Sequence, residues 1–155
     1  MQRPIRRKEF ALDRDQAWKL LESGEYGILA TIGPQGYPYG LPISYVLFKD
    51  AIYFHCGLQG HKLENLRYNE KVSFTVVGKT ELVPAEPAVN YESVIALGLA
   101  SEVGGGEKVK ALQELVRKYA PDFEKEHQEI IASQQDLTVV IKIEIRTITG
   151  KSRGI

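Results

Sequence analysis

The segment His55–Lys62, His-Cys-Gly-Leu-Gln-Gly-His-Lys, gathers two of the three histidines beside two glycines and a lysine. A strand that ends at His55-Cys56 and a helix that opens at His61-Lys62 leave a bare, glycine-rich backbone between them. Free N–H groups at a helix start, with an ammonium nearby, form a site for a phosphate. The same residues also suit an ordinary turn with a surface lysine, and the motif alone leaves both readings open.

Two other chemistries fail on spacing. His55, Cys56 and His61 suggest a metal, but adjacent strand residues point to opposite faces, and no second cluster completes a ligand set. No metal site is expected. Gly150-Lys151-Ser152 resembles the end of a phosphate loop, yet Ile145 stands where that motif needs a glycine. Cys56 has no partner set for nucleophilic catalysis and is expected as a small buried hydrophobe.

The elements that must hold these residues are mostly strands. Asp13 is placed to cap a helix through Ala17, Trp18, Leu20 and Leu21, which Gly24 would end in a left-handed turn. Three strands, Gly27–Ile32, Leu41–Phe48 and Ala51–Cys56, then read as an antiparallel meander, with turns at Gly33–Gly36 and Lys49-Asp50. Gly60–Tyr68 reads as a short helix with Leu63 and Leu66 on one face, followed by a strand at Val72–Val77. Pro84 and Pro87 suggest an irregular crossover. In the next strand, Ser93–Val103, Ile95, Leu97, Leu99 and Val103 share one face, while Ala96, Gly98 and Ala100 leave the other bare for close packing by a helix, a strand or a ligand. An amphipathic helix carrying Val109, Leu112, Val116 and Tyr119 ends at Pro121, and a more polar one covers Phe123–Ile131. The last strand alternates cleanly, with Val139, Ile141, Ile143 and Ile145 facing in. Six strands with inserted helices predict a mainly β, six-stranded antiparallel barrel of split or Greek-key type rather than a parallel sheet.

The 155 residues fit one domain, 1–155, whose first ten residues are expected as an arm, flexible or laid against a partner. Hydrophobic and charged shares of 43% and 26% are those of a globular protein. Lys+Arg and Asp+Glu each count 20, which argues against a nucleic-acid partner. No apolar run nears the roughly 20 residues that cross a bilayer, and no signal peptide is visible. With a single cysteine, a cytoplasmic location is expected.

Taken together, Tyr53-Phe54-His55, a glycine-containing loop, Gly60-His61-Lys62, Asn69 and the strand Val72-Ser73-Phe74 resemble the FMN-binding split barrels related to pyridoxamine 5′-phosphate oxidase. The resemblance extends upstream to Gly27–Thr31 and Pro38–Ser44, and downstream to Tyr91, Ser93-Val94 and Ile148–Lys151, so it covers most of the chain. It is closest to the nitroimidazole-resistance (Nim-type) branch, which shares the Tyr-Phe-His, Gly-His-Lys and terminal Thr-Gly-Lys elements. It implies a homodimer holding FMN in clefts made by both chains. Lys62, His61 and the Gly60 backbone would bind the phosphate, and Pro42, Ile43 and Ser44 would lie along the isoalloxazine. His55 would sit near the ribityl chain or ring, Lys151 would reach the flavin from the last strand or serve the partner subunit, and Ser93 is a further candidate. One departure is clear: the vitamin B6 oxidases place an arginine in the strand corresponding to Ile43–Leu47, where it helps hold the FMN phosphate, and this chain has none there.

The function implied is that of an FMN-dependent oxidoreductase passing electrons to a small aromatic or nitro-aromatic acceptor, with His55 as proton donor or pocket wall. The basic and hydroxyl set that the vitamin B6 oxidases use for the substrate phosphate is not found in this chain, so oxidation of pyridoxamine phosphate itself is not expected. A non-catalytic flavin module and a haem-binding split barrel are the alternatives. Tyr26, Tyr37 and Tyr39 are candidates for cleft walls or for core and interface packing.

Overall fold

The computed structural model describes residues 3–155; Met1 and Gln2, the tip of the expected arm, lie outside the described residues. Its elements are β1 (Ala11–Leu12), α1 (Arg14–Ser23), β2 (Gly27–Ile32), β3 (Pro38–Ile43), β4 (Val46–Phe48), β5 (Ala51–Cys56), α2 (His61–Tyr68), β6 (Lys71–Val83), β7 (Ala88–Val103), α3 (Gly105–Tyr119), α4 (Glu124–Gln134) and β8 (Val139–Arg153). The strands form one antiparallel sheet in the order β3-β2-β6-β7-β8-β5-β4, with β1 paired to β8. Among the described residues no helix is long and apolar enough to cross a membrane.

Eight strands stand where six were expected. β1 is two residues long, too short to show any periodicity. The apolar run Leu41–Phe48 is two strands rather than one: β3 pairs with β2 and β4 pairs with β5. The meander is therefore broken at Ser44-Tyr45, and β3 and β4 occupy opposite edges of the sheet. Three Cα–Cα steps of about 3.8 Å join Ile43 to Val46. That short reach obliges the sheet to curl until its edges meet, which makes it a barrel.

The turns follow local chemistry. Lys49 and Asp50 both take positive φ, 48° and 57°, as a two-residue hairpin requires. Gly36 closes its turn with an N–H bond of 2.9 Å to the Gly33 carbonyl. Asp13 and Gln16 cap α1 reciprocally at 2.8 and 3.0 Å. Gly24, however, is extended rather than left-handed (φ −65°). It is needed for close approach, since a Cβ there would fall 2.5 Å from Val76 Cγ1. Pro84 and Pro87 mark no crossover; β6 and β7 form one long hairpin, and the prolines sit in its tip, where no ladder bond is lost.

Two apolar clusters lie on either side of the same strands. Leu29, Ile52, Phe54, Phe74, Val94, Ala96, Ile141 and Ile143 fill the barrel together with Leu20 and Leu21 of α1 and Leu63 and Leu66 of α2. The small face of β7 is thus its core face; at Gly98 a Cβ would meet the Glu144 carbonyl oxygen at 2.4 Å, where β8 presses in beside a bulge. Outside the barrel, Val46, Ala51, Tyr53 and Val140 pack beneath Ala111, Leu112 and Leu115 of α3. α3 therefore buries a stripe turned slightly from the expected one, leaving Val109 and Val116 half-buried and Tyr119 43% exposed. Tyr53 fixes the start of α3, donating to Glu107 Oε1 at 2.6 Å, and Lys142 reaches the same oxygen at 3.2 Å.

α2 is tied to the sheet by one buried polar contact. Asn65 Nδ2 donates to Thr31 Oγ1 at 3.0 Å, and each residue is 1% exposed. Thr31 Oγ1 in turn donates to the Tyr39 carbonyl at 3.4 Å, so loss of Asn65 leaves that hydroxyl without its donor, and loss of Thr31 strands the Asn65 amide in an apolar interior. Asn65→Leu is expected to lower stability by about 1–3 kcal/mol in urea unfolding, and adding Thr31→Val to recover part of that loss. A double variant less stable than the single one would show that the contact does not hold α2.

Candidate functional site

His55 and Cys56 end β5 and, by strand alternation, point to opposite faces. Cys56 lies in the barrel core, and burial pushes its thiol pKa up, so it is an inert hydrophobe rather than a nucleophile. His55 lies on the side of Tyr53 and Ala51, beyond the edge of α3. It makes no hydrogen bond with another described residue. The residue is open to solvent, yet its ring is packed closely enough for desolvation, and then the Lys62 ammonium, to hold its pKa below the ordinary 6.5. Both causes favour the neutral ring.

The chain leaves β5 through Gly57–Gly60 and enters α2 at His61. Gly60 sits at φ 134°, a region that favours glycine, and it takes the N-cap position without supplying a capping side chain. The carbonyl of Gly60 accepts from the N–H groups of Leu63 (2.9 Å) and Glu64 (3.2 Å), the first bonds inside the helix. The N–H groups of the first turn thus have no side-chain cap, beside the half-buried Lys62. The His61 ring packs on Tyr39 of β3, with centroids 4.2 Å apart and planes at 31°. Tyr39 is the one of the three candidate tyrosines that meets a site residue; Tyr26 and Tyr37 are exposed at 59% and 80%.

Ser44 occupies the break between β3 and β4, and Tyr119, from the end of α3, holds that break. Its phenol oxygen accepts from the Tyr45 N–H at 2.9 Å, and its one proton is shared between the carbonyls of Glu25 at 2.6 Å and Tyr45 at 2.8 Å. The Ser44 hydroxyl interacts with the same phenol. Tyr45 itself is fully buried, donating to the Leu21 carbonyl and carrying Lys118 Nζ 4.0 Å from its ring centroid. Ser44 and His55 then open into one cleft of about 460 Å³, walled by α3 and α4.

The predicted residues fall into two groups. Ser44 and His55 share the cleft, and Lys62 is near enough to act on the His55 ring. Within β3, Ile43 packs on the barrel core, while Pro42 is exposed on the outer face opposite Ile28. Ser93 and Lys151 face one another across β7 and β8, with Lys151 Nζ 5.3 Å from the Tyr91 ring centroid. His55 pairs with Val140 at the other end of β8. At about 3.3 Å per residue, Val140 and Lys151 are on the order of 35 Å of strand apart. The single chain does not bring these two groups together.

Two contributors were not singled out from the sequence as site residues, Tyr119 and His127. Tyr119 was visible only as part of a helix stripe, and its clamp joins residues 74 apart in sequence. His127, in the polar second helix, gave no sequence signal beyond its type.

The family model for pyridoxamine 5′-phosphate oxidase matches residues 13–152. No curated protein sequence matches the chain. Among solved structures, the chain is similar to a conserved hypothetical protein from Mycobacterium tuberculosis (TM-score 0.82, 20% identity, 96% of this chain and 90% of that one). It is also similar to a candidate 5-nitroimidazole antibiotic resistance protein from Bacteroides thetaiotaomicron (TM-score 0.77, 22% identity, 91% and 85%). A third likeness is to an FAD and haem binding protein from Mycobacterium smegmatis (TM-score 0.80, 17% identity, 92% and 72%). At these identities the structures speak for the fold, which is the split barrel already described. With the match running from the cap of α1 nearly to the end of β8, the chain belongs to the pyridoxamine 5′-phosphate oxidase family.

Proposed function

We propose that the protein is a homodimeric FMN-dependent oxidoreductase that delivers electrons to a small aromatic or nitro-aromatic acceptor. The observation that carries this reading is the start of α2. Gly60 leaves the first turn without a capping side chain, and Lys62 stands beside it. That arrangement suits a phosphate monoester, which the backbone N–H groups and the ammonium would hold. Bound flavin would supply the redox chemistry. The chain's own residues would position it: Ser44, fixed through Tyr119 and Tyr45, along the ring, and neutral His55 as a donor or acceptor of one hydrogen bond beside it. Ile43–Leu47 carries no arginine, so the FMN phosphate would rest on the start of α2 and Lys62 without the arginine that the vitamin B6 oxidases add.

The outer face of the sheet supports the dimer. Pro42, Ile28, Thr75, Ile95 and Thr149 lie in register across β3, β2, β6, β7 and β8, on one face with Val77, Ser93 and Lys151. Ile28, Ile95 and Val77 are 37%, 39% and 57% exposed in one chain. Covered by a second copy, this face would carry Ser93 and Lys151 of one subunit toward the cleft of the other.

Purified protein is expected to quench FMN fluorescence on binding and to show a flavin spectrum rather than a haem Soret band. Lys62→Ala should weaken FMN binding by about 1.5–3 kcal/mol with the fold intact, since a charge-assisted bond is lost. Equal FMN affinity in the folded variant would move the phosphate elsewhere.

NMR titration is expected to give His55 a midpoint below 6.5, raised in Lys62→Gln yet still below 6.5, because desolvation is the larger cause. The depressed folded pKa means that the unfolded chain takes up the proton first. The His55 contribution to stability is therefore present above about pH 6.5 and lost as pH falls through the folded midpoint. A midpoint above 6.5 would contradict the packing of the ring.

Light scattering should give twice the chain mass, and Ile95→Glu should yield monomers that bind FMN less tightly. Wild-type monomers with FMN bound would end the shared-cleft reading.

A further inference from the structure

The cleft between the barrel and the α3–α4 insertion is larger than the contacts of Ser44 and His55 need. Its far wall is Leu115 and Val116 of α3 with Ile130 and Ile131 of α4, and Gln134, Gln135 and Thr138 add uncharged polar groups to the lining. No aspartate, glutamate, lysine or arginine lines it. An ion without a partner pays a heavy desolvation penalty in such surroundings, so the lining selects against charged ligands.

His127 adds direction to this apolar wall. Its Nδ1 lies 2.9 Å from the Phe123 carbonyl, four residues earlier on the chain. A carbonyl only accepts, so Nδ1 bears a proton, and in that tautomer Nε2 holds the lone pair. Nε2 has no partner among the described residues, and His127 is one of the residues that line the cleft. An acceptor at an apolar wall calls for a ligand with a donor.

We propose that this cleft is a binding pocket for an uncharged, ring-sized apolar molecule bearing a hydroxyl or N–H donor, which His127 Nε2 accepts. The inference rests on the flavin reading only in taking this ligand as the molecule that lies beside the cofactor. His127 is then a specificity residue on α4, outside the Gly60-His61-Lys62 motif.

The test is calorimetry on the full chain incubated with FMN, using 2-naphthylmethanol, its charged counterpart 2-naphthoate, and 2-methylnaphthalene, which has no donor. The alcohol is expected to bind about tenfold or more tightly than the carboxylate, a difference of about 1.4 kcal/mol or greater. Ile131→Trp, which fills the cleft, should abolish binding of the alcohol and leave FMN affinity within about twofold, or about 0.4 kcal/mol. His127→Phe should weaken the alcohol by about five- to tenfold and leave 2-methylnaphthalene unchanged, the signature of one neutral hydrogen bond. If Ile131→Trp does not fold, the His127 comparison decides. Carboxylate binding as tight as the alcohol, or alcohol binding that survives both substitutions, would overturn the proposal. So would joint loss of FMN and alcohol in a folded Ile131→Trp, which would give the cleft to the flavin ring itself. A protein that takes up no FMN yet binds the alcohol through His127 would remove the flavin reading and leave the pocket standing.

Discussion

The two residues between β3 and β4 constrain the whole molecule. Ser44 and Tyr45 join strands at opposite edges of the sheet, so the sheet has to close around its core wherever those edges meet. The seam is held by contacts from distant parts of the chain. Tyr45 reaches the end of α1 through the Leu21 carbonyl, packs edge-on against Phe74 at 4.8 Å, and carries the Lys118 ammonium over its ring. Tyr119 binds both backbone groups of Tyr45. Burial holds the Tyr45 phenol pKa far above its ordinary value, so the phenol stays a neutral donor. The barrel closure and the placement of Ser44 are the same event.

β5 shows how one strand can serve a core and a site at once. Ile52, Phe54 and Cys56 fill the barrel, whereas Ala51 and Tyr53 support α3. A strand covered on both faces is a rigid rail, and His55 stands where the helical cover stops. The ring therefore borrows desolvation from its neighbours while keeping its nitrogens open. A histidine fully inside the barrel would need partners for its ring nitrogens, and one fully in water would titrate near 6.5.

Electrostatics at the site are set by a few placed groups rather than by net charge, which is zero. Lys62 pushes the His55 pKa down and partly offsets the burial of Cys56. The ion pairs of α3, Arg117 with Glu114 and Glu124, are well exposed and shape the insertion more than they stabilise it. In the proposed dimer, the charge of Lys151 would arrive from the other subunit, so the chemistry of each cleft would depend on assembly.

Much of this was legible in the sequence because it is local. The bounds of β2 and β5 follow from apolar runs between turn residues, and α2 from Gly60 and the Leu63–Leu66 spacing. The Gly60-His61-Lys62 motif reads directly because a helix start and its lysine are neighbours in sequence. The break at Ser44-Tyr45 was hidden, since Leu41–Phe48 is continuous in hydrophobicity and only strand pairing reveals two different partners. Likewise Gly24, Pro84 and Pro87 carry types that permit several backbones, and packing chose among them. Which face of β7 is the core was also undecided by alternation, because its two faces differ in size rather than polarity. Sequence alone determined the strand-rich class, the motif and the alternation of His55 with Cys56, all set within a few residues. Tertiary structure alone decided the closure of the barrel, the Tyr119 clamp and the cleft under α3 and α4, because each joins groups far apart in the chain whose contact no local periodicity encodes.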